Sequence, residues 1–101
     1  MTMPTRDEPV PGECRGLAEK YVWWKPPDEV LRQPEFFLGH VMNRATWEDQ
    51  GLLERYFPAV RLRAVLREAE AGIFDPASWH YWHYRLGWTD VPALPRKNLS
   101  L

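Results

Sequence analysis

This sequence is short of the features that most directly announce chemistry. There is one cysteine, Cys14, so no intrachain disulfide and no thiolate zinc finger can form. No apolar run is long enough to span a bilayer. The longest, around Phe36 to Met42, is interrupted by Gly39 and His40. Charge of one sign is not in excess: 13 basic against 14 acidic residues give a net charge of −1, unlike a domain that coats nucleic acid. The six glycines are scattered, so no glycine-rich phosphate loop is present, and no HExxH motif occurs. The first thirteen residues hold prolines and charges where a signal peptide needs an apolar run. These absences point to a soluble cytoplasmic protein. With 45% apolar residues, it is not a disordered acidic tail.

Two residue types are over-supplied. Ten prolines are about twice the usual ~5% share, and six tryptophans are several times the norm. The prolines punctuate. Three of them fall in residues 1–13, which read as a disordered arm. Pro92 and Pro95 make residues 90–101 an extended tail. One folded domain, 14–89, remains, without repeats.

Inside that domain apolar residues recur at helical spacing. Arg15 to Lys20 makes a turn or more of helix. Tyr21 to Trp24 reads as an extended segment stopped by Pro26 and Pro27. Asp28 to Gln33 is a short helix, and Pro34 starts the next, with Phe37, Leu38, Val41, Met42 and Ala45 on one side. Thr46 and Asp49 have capping-box spacing, the hydroxyl accepting from Asp49 N–H and the carboxylate reaching back. That helix runs to about Phe57, burying Leu52, Leu53, Tyr56 and Phe57. Pro58 opens another, with Leu62, Val65, Leu66 and Ala69 as its stripe and Gly72 as its end. Asp75 caps the last helix, with Pro76 at its first position and Gly87 closing it. The fold class is all-α, a compact bundle of four to five short helices.

The tryptophans have a structural account and a functional one. Six buried indoles would remove roughly 1,200 Å² from water, about 30 kcal/mol as an upper bound, replacing chain length with ring size. On the last helix Trp79, Trp82, His83 and Leu86 share a face suited to the core. Five aromatics and two histidines over three turns exceed what a small core holds, which leaves Tyr81, Tyr84 and Arg85 for an interface, together with Trp23 and Trp24.

Three other chemistries are open to these residue types. His80 and His83, spaced i, i+3, are two of the three ligands a catalytic zinc needs, with His40, Asp75 and Cys14 as the only companions by elimination. Histidines satisfied by hydrogen bonds are the commoner outcome, so no metal and no cofactor are expected. Cys14 lacks a positioned base and Ser78 lies in no nucleophile elbow. Thr46 to Ala71 has the proportions of a helix-turn-helix, with Arg61, Arg63 and Arg67 on its second helix as candidate DNA contacts. Glu68 and Glu70 interrupt that basic stripe, so solvated charge is the simpler reading.

The segments Lys20-Tyr21-Val22-Trp23-Trp24-Lys25, Val41-Met42, Thr46-Trp47-Glu48-Asp49, Leu62 to Arg67 and Phe74 to Gly87 carry a resemblance. Over residues 16–97 the chain resembles a group of small bacterial helical proteins often encoded beside nucleotidyltransferase-type toxins of the abortive-infection kind. The proline-rich arm lies outside that pattern. The resemblance implies an antitoxin of a toxin–antitoxin system, acting by protein–protein interaction on a partner nucleotidyltransferase. It carries over no catalytic residue. The alternative is a helix-turn-helix-like DNA-binding regulator.

Overall fold

Proline placement sets most of the helix starts. Pro27, Pro34 and Pro76 each occupy the first turn of a helix, where an N–H would have no partner, and Pro58 immediately precedes another. The computed structural model describes residues 10–95. A 3-10 turn, Gly12–Cys14, leads into α1 (Arg15–Tyr21), α2 (Pro27–Leu31), α3 (Pro34–Arg44), α4 (Trp47–Tyr56), α5 (Ala59–Arg67) and α6 (Pro76–Arg85). There is no strand among the described residues, so the fold is all-α. Its Cα radius of gyration, 13.5 Å, is close to the ~13 Å of a compact chain of about 100 residues. No described helix is long and apolar enough to cross a membrane.

Six helices form rather than four or five. The short α1 and α2 hold because both pack against α3 and each other, burying Leu17, Ala18, Tyr21 and Val30. A seven-residue helix would not persist alone in water. Tyr21 ends α1 instead of starting an extended segment. The chain leaves the helix at the buried Val22, and Trp23 and Trp24 fall in the turn before Pro26. The helix α5 stops at Arg67, short of Gly72. Residues 69–74 form a loop in which Gly72 takes a φ of 90°, a conformation open mainly to glycine.

Packing on the core reaches further toward the N-terminus than the composition suggests. Residues 1–9 of the expected arm lie outside the described residues. Val10 is buried and its N–H donates to Leu31 O at 3.0 Å, and Cys14 is fully buried. Burial first, and the Glu13 charge second, push the Cys14 thiol up to about 11. At neutral pH it is a protonated core residue. At the other end, residues 91–95 carry no regular structure. Val91 and Leu94 pack on the core, and Trp79 Nε1 donates to Pro92 O at 2.7 Å. Residues 96–101 of the expected tail lie outside the described residues.

Helix α3 is the centre, packed against α1, α2, α5 and α6. Its stripe of Phe37, Leu38, Val41 and Met42 is buried as the periodicity predicts. Gly39 is buried with it because a Cβ there would stand 2.8 Å from Ile73 Cγ2. The end of α3 is satisfied by α6. Trp82 Nε1 donates to Met42 O at 2.7 Å, Ser78 Oγ donates to Asn43 O at 2.8 Å, and Asp75 N–H donates to Asn43 Oδ1 at 2.9 Å. Met42 O and Asn43 O are backbone carbonyls that a helix C-terminus leaves unpaired. Helix α6 ends in a Schellman motif, with Gly87 at φ 98° and N–H bonds from Gly87 to Tyr84 O and from Trp88 to His83 O.

The capping box is half as predicted. Thr46 Oγ1 accepts from Asp49 N–H at 3.2 Å. The Asp49 carboxylate does not return to Thr46. The Tyr21 hydroxyl takes that place, accepting from Thr46 N–H at 3.1 Å and donating to Asp49 Oδ2, which also accepts from Lys20 at 2.7 Å. A phenol from α1 thus ties the start of α4 to α1.

Two outcomes test this frame. Trp82→Phe leaves the Met42 carbonyl buried without its donor, and costs about 1–3 kcal/mol in a urea melt. Lys20, and after it Tyr21, hold the Asp49 carboxyl below the usual carboxylate range. A depressed folded-state pKa stabilises above the unfolded value of about 3.9, and that contribution is lost as pH falls through the folded pKa. Stability therefore declines below about pH 4. Urea midpoints at pH 7 and pH 3 fall less steeply in Asp49→Asn.

Candidate interaction surface

The wheel of α6 sorts its residues as its sequence predicts. Trp79, Trp82, His83 and Leu86 are buried. Tyr84 is 61% exposed. Tyr81 and Arg85 are held by the fold. The Tyr81 hydroxyl donates to Gln50 Oε1 at 2.6 Å, and Arg85 Nε donates to Glu54 Oε1 at 2.7 Å. The Arg85 guanidinium lies 5.0 Å from the Trp47 ring, 6.0 Å from that of Tyr81 and 5.9 Å from that of Trp82. Arg85 thus sits among three rings, part anchor and part structural tie.

Trp23 and Trp24 are displayed because the chain turns sharply between Val22 and Pro26. Trp23 is 73% exposed and meets Trp24 edge-on at 5.7 Å. Trp24 is 41% exposed, resting on Phe36 and His40 of α3, with the Arg44 guanidinium 5.4 Å from its ring. Burial first, then the charges of Arg44 and Lys25, push the His40 imidazole pKa down. A neutral ring suits its place between Trp24 and Phe36.

The account of tryptophan as core holds for Trp79 and Trp82 and partly for Trp88. It fails for the other three. Trp47 is 70% exposed, and sequence reasoning passed over it as part of a cap. A signal was available: on a 100° wheel Trp47 points about 120° away from the buried Leu53. Its place at the first position of α4 puts it beside Arg85. Trp24 and Trp47 flank the corner between α3 and α4, with Arg44 over one ring and Arg85 over the other.

The arginines proposed for DNA do not form a basic face. Arg61 is only 6% exposed and lies 2.5 Å from Glu35. Arg63 is half-buried and its Nε donates to Leu86 O at 2.9 Å, closing the end of α6. Arg67 alone of the three is exposed. Leu62, Val65 and Leu66 turn one side of α5 into the core, and Arg61 follows them because Glu35 on α3 meets it there.

The histidines are engaged along the helix rather than converging. His80 Nδ1 lies 2.9 Å from Pro76 O and His83 Nδ1 lies 2.7 Å from Trp79 O. The His83 ring is packed between Trp79 and Trp88. No group of three or more potential metal ligands is assembled among the described residues. A cleft of about 410 Å³ lies between α3 and the 68–74 loop, lined among others by Arg32, Glu35, Phe36, Glu70 and Phe74.

Comparison with known proteins returns no matching family model, no similar curated protein and no similar solved structure.

Substitutions separate displayed rings from core rings. Trp23→Ala and Tyr84→Ala change stability by no more than about 0.5 kcal/mol, as surface changes do. Trp79→Ala costs about 3–5 kcal/mol. Urea midpoints for the three variants check the division.

Proposed function

We propose that this chain is an antitoxin-like interaction protein that binds a nucleotidyltransferase-type toxin and restrains it. The observation that carries the reading is the display of Trp23, Trp24, Trp47 and Tyr84 on a 101-residue chain. Tryptophan, tyrosine and arginine are the residues on which binding energy concentrates at protein interfaces. Trp23 and Trp24 stand edge-on in contact at 5.7 Å, and monomers seldom leave large rings exposed side by side without a partner to cover them. The resemblance supplies the identity of the partner. The mechanism is steric: a rigid aromatic surface seats on the enzyme and blocks access of nucleotide or RNA, or holds an inactive conformer. Groups with the chemistry of a nucleophile or base serve the fold, with Cys14 a buried thiol and His83 bonded to its own helix.

The test is affinity purification of the tagged protein from its own host, followed by mass spectrometry and a nucleotidyl-transfer assay. A nucleotidyltransferase is retained at near-stoichiometric yield, and its activity falls when the purified protein is added. A double variant, Trp23→Ser with Trp47→Ser, stays folded and loses both effects. Folded protein that retains no such enzyme, or leaves the enzyme's activity unchanged at saturation, overturns the proposal.

A further inference from the structure

The cleft between α3 and the 68–74 loop lies beside the first described residue of the chain. Val10 is buried, and its N–H is tied to Leu31 O at 3.0 Å. Arg32 and Gln33, which follow Leu31 directly, line the cleft. Residues 1–9 are therefore tethered within a residue or two of its mouth. Their reach is ample, since nine extended residues span up to about 30 Å and the whole molecule measures 38 Å along its longest axis. Pro4, Pro9 and Pro11 favour extended backbone, and Pro11 adopts it, with φ −55° and ψ 143°.

The cleft offers two kinds of surface. Phe36 and Ile73, both half-buried, are its apolar walls. Its charges are divided between its sides. Arg32, exposed on the side of Leu31, pairs with no carboxylate among the described residues. Glu68 and Glu70, both exposed, stand on the side of α5 and its loop. A third carboxylate, Glu35, is answered by the buried Arg61. The sequence before Val10 carries the opposite charges in the matching order. Glu8 and Asp7 come first after Pro9, then Arg6, and Met3 lies beyond them.

We infer that residues 3–8 of this chain lie along the cleft, with Asp7 and Glu8 toward Arg32, Arg6 on the carboxylates of Glu68 and Glu70, and Met3 against Phe36 and Ile73. Polyproline-type backbone repeats every three residues, which puts Met3 and Arg6 on one edge. An unbranched thioether fills an irregular apolar gap well. Exposed ion pairs are weak by themselves. The tether at Val10 makes up the difference, because a short link holds the segment at an effective concentration in the millimolar range. The inference does not depend on the partner proposed above.

The experiment uses the full chain carrying Ala69→Cys, a half-buried position in the cleft wall, and follows its labelling by N-ethylmaleimide. The native thiol, Cys14, is fully buried and stays unlabelled while the fold is intact. Labelling at position 69 requires the segment to lift, so its rate follows the open population. Adding Arg6→Glu or Met3→Asp, neither of which touches the described core, speeds labelling about tenfold or more. Combining Arg6→Glu with Glu68→Lys and Glu70→Lys restores the slow rate. Position 69 labelling as fast without Arg6→Glu as with it overturns the inference, and so does a charge exchange that restores nothing. Protection that grows with protein concentration assigns the cleft to the segment of a second copy. Protection lost after refolding from urea assigns it to a ligand carried from the cell. Either result also overturns it.

Discussion

Trp82 sits where α3 ends and α6 crosses it, and its indole N–H closes the Met42 carbonyl. That one bond joins two requirements. A helix terminus leaves carbonyls unpaired, and burying them unmet is expensive. A large ring in the interior also needs a partner for its N–H. Here each satisfies the other. Ser78 repeats the arrangement one residue on, at Asn43 O, and Asn43 in turn accepts from Asp75 at the start of α6. The end of α3 is thereby written into the beginning and middle of α6. Arg63 of α5 then closes the far end of α6 at Leu86 O. In a chain with one cysteine, these polar ties at helix ends add specificity to a core whose apolar area is limited by size.

Much of this architecture was legible because it follows from local rules. Prolines at first-turn positions, the Asp75 cap and Gly87 at positive φ act within a few residues, and the helices begin and end nearly where those rules put them, except that α5 stops at Arg67 rather than at Gly72. The buried stripe of α6 was equally plain from its wheel. What escaped reading depends on contacts distant in sequence. The Thr46 amide is met by Tyr21, twenty-five residues earlier, and nothing in the capping pattern names that phenol. Arg61 looked like a solvated base until Glu35 was placed opposite it. Val10 looked like part of an arm until Leu31 supplied a backbone acceptor.

The candidate surface was legible in part for the same reason. Trp23 and Trp24 stand before a Pro-Pro pair, which predicts a turn and hence display. Tyr84 lies off the buried stripe of α6. Trp47 was misjudged because its neighbours Thr46 and Asp49 offered a complete local explanation of the segment, leaving the ring between them unexamined. Only the approach of Arg85 from α6 and of Arg44 from the end of α3 shows which cation each of the indoles at 47 and 24 carries.

Exposed indoles carry a penalty in water that the free protein has to tolerate. The two arginines moderate it. Each covers part of an indole face by a cation–π contact, worth about 0.5–1 kcal/mol at an exposed site, and each restricts the rotamers of the ring beneath. The same contacts bear on any partner that seats there. Side chains already ordered lose less entropy on association, and a guanidinium aligned on a ring presents its donors in a fixed direction. The difference between the two arginines then lies in charge pairing. Arg85, matched by Glu54, offers a partner mainly ring surface. Arg44, unmatched by any carboxylate among the described residues, keeps its charge over the Trp24 ring.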